Sequence, residues 1–281
     1  MTAVATIVDR DRTVALLRGE FEALSYFCRT LTPDQWSAPS SLPGWTLHDV
    51  LAHIVGTESM LSGTEAPAAT SRDADSPQLD YVHNPIGEAN EIWVQSMRGW
   101  SDEQLLAGFE EVTARRLEAL DAMDQADFDA PSWTPAGRDE TYGRFMRIRH
   151  FDCFMHEHDM RLAIRAEPRN DAADLDFCLD EVVTGLGYIV GRRAALPDGS
   201  RVRIELTGPA ARTLLVTVDG RASVTEKLDG PATVEVTMPA PLFLRLTGGR
   251  EDPDSGALGT VEIGGDRQLG EQLVAKLAFT I

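Results

Sequence analysis

The chain has 281 residues, enough for one large domain or two modest ones. Hydrophobic residues make up 43% and charged residues 25%, the usage of a folded globular protein, which excludes wholesale disorder. Acids outnumber bases 45 to 26, and the net charge of −19 excludes the basic footprint that nucleic acid or an anionic membrane surface requires.

In chain order, Val14, Leu17, Phe21, Leu24 and Phe27 recur every three to four positions and predict a helix over 9–31 with one buried stripe. Thr32-Pro33-Asp34 interrupts it, and Leu42-Pro43-Gly44-Trp45 reads as a turn. Thr46, with Asp49 three positions on, resembles a capping box and opens a helix that runs to Ser62-Gly63. Residues 64–80 are rich in Ala, Ser, Asp and Pro and read as a long loop. Asn84-Pro85 starts a third helix with proline in its first turn, and Ser101 with Gln104 restarts or continues it toward Met123. Residues 125–140 read as a loop, and a last helix spans 141–165. Four main helical stretches predict a four-helix bundle over residues 1–165.

Ala166-Glu167-Pro168-Arg169-Asn170-Asp171 reads as a linker. The second module, 172–281, is expected to be smaller and α+β. It opens with a helix over 174–190. Val202, Ile204 and Leu206 alternate with polar residues, as do Val234, Val236 and Met238, the pattern of strands with one buried face. Residues 213–218 read as a more continuous apolar strand, 241–246 as a short helix, 261–263 as a strand and 267–279 as a closing amphipathic helix.

All six histidines lie before residue 159 and all five tryptophans before residue 134, which places metal or acid–base chemistry in the first module. Cys28, Cys153 and Cys178 are far apart and form no CxxC pair, so neither a disulfide framework nor a zinc knuckle is expected, and a reducing cytoplasm fits. No signal peptide is expected from the first residues, and no apolar run approaches the ~20 residues of a membrane span. Only two of the 26 basic residues are lysine, Lys227 and Lys276, a bias that suggests a GC-rich genome.

The last helix of the first module contains Asp152-Cys153-Phe154-Met155-His156-Glu157-His158-Asp159. Asp152 and His156 stand at i and i+4, on one face of a helix, where a carboxylate and an imidazole can chelate one divalent ion. A third ligand must come from another helix, and His53 is the candidate, in the middle of the helix that Thr46 opens. Two histidines and a carboxylate leave coordination positions open, the mark of a catalytic metal site. His158 points about 200° from His156 and should not share its ion, whereas Asp159, at i+3, can accept from the other ring nitrogen of His156. The plain alternative is that Asp152 and His156 form an ordinary polar pair and His53 simply packs. Trp45 reads as a hydrophobic clamp on the helix start, and Cys153 as core packing.

Leu42-Pro43-Gly44-Trp45-Thr46-x-x-Asp49-x-x-x-His53 resembles a segment of the mycothiol-dependent maleylpyruvate isomerase family. Asp152-x-x-x-His156-Glu157-x-Asp159-x-Arg161-x-Ala163 resembles that family's second signature, and Gly265-Asp266-Arg267-x-Leu269-Gly270 to Leu277-Ala278-Phe279 its C-terminal domain. The resemblance covers nearly the whole length. It implies a DinB-like metal-binding bundle followed by a sterol-carrier-like α+β domain. It also implies metal ligands at His53, Asp152 and His156, zinc or a similar divalent ion, and mycothiol, an actinobacterial thiol, as cosubstrate. The family pattern often has Glu where Asp152 stands and Gln where His158 stands.

The activity implied is addition of a thiolate to an electrophilic small molecule, as cis–trans isomerisation or S-transfer. The alternative is a non-catalytic metal- or lipid-binding protein, or a metal-free regulatory one. An acidic substrate would need a cation. Arg144 and Arg149 share the ligand helix, Arg245 and Arg250 come from the second module, and Arg250 is preferred as the catalytic arginine. The partners expected are a small-molecule electrophile and, at most, a second copy of the chain, with no nucleic acid and no membrane.

Overall fold

Apolar stripes and polar caps set the helices of the first part of the chain. α1 (Arg10–Arg29) starts at Asp9, whose side chain accepts from the Arg12 amide, and buries Val14, Leu17, Phe21, Leu24 and Phe27. A one-turn helix, α2 (Pro33–Trp36), follows in the Thr32-Pro33 interruption, with a capping box from Thr32 and Gln35. α3 (Leu47–Leu61) has the expected capping box of Thr46 and Asp49. α4 (Pro85–Met97) is capped by Asn84, and α5 (Asp102–Asp121) by Ser101 with Gln104. α7 (Tyr142–Ala163) completes the bundle.

The structure is a computed structural model that describes residues 5–67, 79–250 and 259–280; most of the expected 64–80 loop lies outside the described residues. The chain divides into two compact units, Met1–Pro168 and Arg169–Ile281. In the first, α1, α3, α5 and α7 pack together, and α4 lies against α3. Gly56 permits that last approach, because a Cβ there would sit 2.5 Å from Cβ of Trp93. Leu51, Ile54, Leu105 and Phe109 are fully buried in the shared core.

The expected loop over 125–140 is instead structured. It holds a short helix, α6 (Gln125–Asp129), and an antiparallel hairpin of β1 (Pro131–Thr134) and β2 (Gly137–Thr141). Its strands bury only Thr134 and Thr141, so no apolar alternation marks it in the sequence. It is held instead by Phe128, fully buried against the ring of Tyr142, and by Trp133 packed edge-on to Phe145.

The second unit is α+β. Its sheet has the order β5-β4-β3-β6-β7, from β3 (Arg201–Thr207), β4 (Arg212–Asp219), β5 (Arg221–Val224), β6 (Val234–Pro239) and β7 (Glu262–Gly265). β3 and β6 run parallel and the other pairs are antiparallel. Register places Ile204 beside Leu214 and Val236, so one face forms an apolar row. β4 alternates like its neighbours rather than being continuously buried. α8 (Ala172–Tyr188), α9 (Ala240–Thr247) and α10 (Arg267–Val274) pack against the sheet. α8 runs into a π-helical turn, Ile189–Arg193.

α10 stops before residue 279, because the chain must leave helical geometry for Phe279 to reach its neighbours. The Phe279 amide donates to Thr247 O at 3.0 Å, and its ring lies 3.0 Å from where a Cβ of Gly185 would be. Among the described residues, no helix is long and apolar enough to cross a membrane.

Candidate metal centre

α7 is buried on nearly every side, although it carries Arg147, Arg149, His150, His156, Glu157, His158 and Asp159. A helix buried all round is ordinarily apolar. Here each polar group needs a partner, and the partners define a site.

α3 brings His53 to the Asp152–His156 face of α7. Nε2 of His53 lies 3.2 Å from Oδ2 of Asp152, and Nε2 of His156 lies 3.5 Å from Oδ1. The two imidazole rings meet edge-on with centroids 4.9 Å apart. One ligand atom from each of the three residues lies within 4.8 Å of the others. Ligand atoms about 2.0–2.2 Å from a tetrahedral ion stand roughly 3.3 Å from one another, so these spacings suit a shared divalent ion. His53 Nδ1 is buried without a hydrogen-bond partner, so the polar chemistry of this ring is directed through Nε2.

Supporting contacts orient the three side chains. Asp159 Oδ2 lies 3.1 Å from His156 Nδ1, and its other oxygen accepts from Ser41 Oγ at 3.0 Å. A proton held on Nδ1 toward Asp159 leaves the lone pair of Nε2 facing the site. Ser41 belongs to the turn before α3, where Gly44 has φ of +78° and a side chain would collide with the Tyr81 ring. Trp45 is more than the clamp expected from its position. Its ring lies 5.4 Å from that of His53, and its Nε1 donates to buried Glu91 at 2.9 Å. His158 lies on the far side of α7 against Phe154, with ring centroids 4.5 Å apart.

Burial holds His53 below its ordinary pKa, although Asp152 pulls the other way. Burial also opposes protonation of His156, but the carboxylates of Asp152 and Asp159 outweigh it and raise that pKa. For Asp152, burial is outweighed by His156, Arg149 and His53, which hold the carboxyl well below the usual range. Burial pushes the thiols of Cys28 and Cys153 up, so neither supplies a thiolate at neutral pH.

The arginines weighed for substrate sort differently. Arg149 is buried and pairs with Glu58 and Asp152, and Arg144 pairs with Glu140. Arg250 lies just beyond α9, half-buried, with Nη1 donating to Gly248 O at 2.7 Å. Glu58, Arg116, Ser41 and Glu91 were not legible as site supports in the sequence. Each lies far along the chain from its partner or in a turn, and no local spacing marks such contacts.

The model for the mycothiol maleylpyruvate isomerase N-terminal domain matches residues 17–161, and that for the C-terminal domain of the same family matches residues 176–272. The chain belongs to the mycothiol maleylpyruvate isomerase family. The family's solved structures show the same fold. A crystal structure of the mycothiol-dependent maleylpyruvate isomerase superposes with a TM-score of 0.57 at 16% identity, covering 92% of this chain and 93% of that one. A histidine-to-alanine mutant of that isomerase gives 0.57 at 15% identity with the same coverage. A UbiJ-SCP2 ubiquinone synthesis protein covers 35% of this chain with a TM-score of 0.27, too low to bear on the fold. No curated protein sequence matches the chain.

Proposed function

We propose that this family member is a metal- and mycothiol-dependent enzyme that adds a thiolate to an electrophilic small molecule. The observation that carries the reading is the convergence of His53, Asp152 and His156 from two helices. They would hold the ion, with zinc suited to a donor set of two imidazoles and one carboxylate. A divalent ion supplies there the positive charge that makes a thiolate available at neutral pH.

The chain's own residues do the rest. His53 stays neutral because it is buried, so its Nε2 offers a lone pair. Asp159 and Ser41 fix the ring of His156. Trp45, held by Glu91, walls one side of His53 against water. Cys28 and Cys153 stay protonated, and the sulfur would be external. With a cis unsaturated diacid such as maleylpyruvate, the thiolate would add to the double bond. Rotation about the resulting single bond and departure of the thiol would give the trans isomer and return the thiol. With an S-transfer substrate the sulfur would remain attached. On sequence grounds alone we keep Arg250 as the proposed cation for a substrate carboxylate, and Arg250→Gln should then raise KM for an acidic substrate far more than for a neutral one. We place the protein in the cytoplasm, acting alone or as a homodimer.

The deciding experiment incubates metal-loaded protein with mycothiol and a panel of electrophiles that includes maleylpyruvate. Isomerised product, or an adduct heavier by the thiol, is expected. Stoichiometric metal with no turnover of any thiol would leave a binding protein in place of an enzyme.

A further inference from the structure

All three guanidinium nitrogens of Arg149 are engaged. Nε donates to Glu58 Oε1 at 2.8 Å, Nη1 donates to Asp152 Oδ2 at 2.7 Å, and Nη2 meets Cys153 Sγ at 3.5 Å. The other oxygen of Glu58 accepts from Arg116 Nε at 3.0 Å, and Arg116 Nη2 donates to the Tyr142 hydroxyl at 3.0 Å. Glu58, Arg116 and Arg149 are each no more than 4% exposed. One buried carboxylate therefore anchors two arginines, and one of them carries the restraint onward to a candidate ligand. Burying such charges is costly unless each is paired, and replacing them by hydrocarbon is often harmless to stability. A role at the site accounts for the arrangement better than folding does.

We propose that Arg149 is a positioning residue for Asp152. Braced on Glu58, it fixes how the Asp152 carboxylate faces the cluster, with Oδ2 held 3.2 Å from His53 Nε2 and Oδ1 3.5 Å from His156 Nε2, the orientation in which Asp152 would meet an ion. The inference rests on the metal reading above and adds a restraint to it. The planar fork matters as much as the charge, because it reaches two carboxylates at once. Lysine has one compact ammonium and cannot span Glu58 and Asp152 in the same way.

The test uses Co2+ on the full-length wild type, Arg149→Lys and Arg149→Gln. Affinity is measured by chelator competition and coordination by the visible d–d bands, which weaken as ligands are added. The wild type is expected to hold one cobalt with intense bands. Both variants are expected to bind roughly 10–100-fold more weakly, the usual cost of losing a ligand's orienting partner. Their bands should also change in intensity and position, because a carboxylate released from Arg149 no longer meets the ion in its fixed orientation. Arg149→Lys leaves a cation beside Glu58 and is the variant expected to keep the fold, with metal-free helix content and melting temperature matching wild type. A loss of affinity confined to Arg149→Gln would make charge the determinant and overturn the brace. Unchanged or tighter cobalt binding in both variants would overturn it as well. A wild-type chain that takes up no cobalt would overturn the metal reading itself, and this inference with it.

Discussion

The two units bury different things. The second packs hydrocarbon: Val202, Ile204, Val216, Val236 and Phe243 lie beneath its helices, and among the described residues Asp174 and Glu181 are its buried acids. The first buries hydrocarbon too, but threads Glu58, Arg116, Arg149, His53, His156 and Asp159 through its core. Each buried ion costs several kcal/mol before its partners compensate. A bundle of this size is stabilised more simply by leucine, so the polar thread points to chemistry. The contrast teaches where to look for function when fold resemblance alone says little.

The largest expected effect separates the two units directly. His53→Ala should abolish stoichiometric metal and, with it, thiol-dependent turnover, while helix content is kept, since only one ring is lost from a packed face. Metal analysis of protein purified without a histidine tag checks this, and retained zinc would assign the ion to other side chains. The counterpart in the second unit is Phe243→Ala. Phe243 is fully buried on α9, and removing its ring should destabilise by about 3–5 kcal/mol. Metal stoichiometry should stay at wild type. Calorimetry and metal analysis on the same preparations would show whether folding energy and chemistry divide as the burial pattern says.

The cluster of His53, Asp152 and His156 was legible because much of its spacing is local. Asp152 and His156 share a helix face by i, i+4 geometry, and His53 follows a capped helix start whose register is set by Thr46 and Asp49. The alternating strands β3 and β6 were legible for the same reason. The hairpin of β1 and β2 was not, since its anchors are Phe128 and Trp133 against α7 rather than any period along the strands. β5 was missed because only Ala222 is buried in it, pressed against Gly187 and Gly191. The Glu58–Arg149 link was invisible in one dimension, as it joins residues from α3 and α7 that no motif links, although Arg149 and Asp152 themselves stand at i and i+3.

Intermediate effects sharpen the picture of the first unit. Asp159→Ala leaves the Nδ1 of His156 without its carboxylate and should weaken metal binding about 10–100-fold. It should also shift the pH dependence. A protonated Nε2 has no lone pair to give, so metal affinity falls as pH drops through the His156 pKa. That pKa is raised, so the loss begins above the ~6.5 of a free imidazole. In metal-free protein the same shift stabilises the fold fully below ~6.5, and that contribution disappears as pH rises through the folded value. Asp159→Ala removes one of the two raising carboxylates and should move the midpoint of cobalt binding to lower pH. Binding isotherms across that range decide it; an unmoved midpoint would mean that Asp152 alone sets the proton affinity of His156.

The smallest effect is the most local. Thr46 Oγ1 accepts from the Asp49 amide at 3.3 Å, while Asp49 Oδ2 accepts from the Thr46 amide at 3.0 Å. Thr46→Ala removes the first bond, together with the 3.2 Å bond that the Thr46 hydroxyl donates to Asp49 Oδ2, and leaves the second, so the loss should be about 1 kcal/mol. For a unit of this size that is a fall in melting temperature of about 2–4 °C. His53 sits nearly two turns inside α3, beyond the reach of fraying at the cap. Metal affinity should therefore be untouched if the helix start serves folding alone. Ser41, however, lies in the turn just before Thr46 and holds Asp159. A drop in affinity for Thr46→Ala, at a stability loss this small, would show that the turn transmits its position to His156 through Ser41 and Asp159, and that the cap belongs to the metal site as well as to the helix.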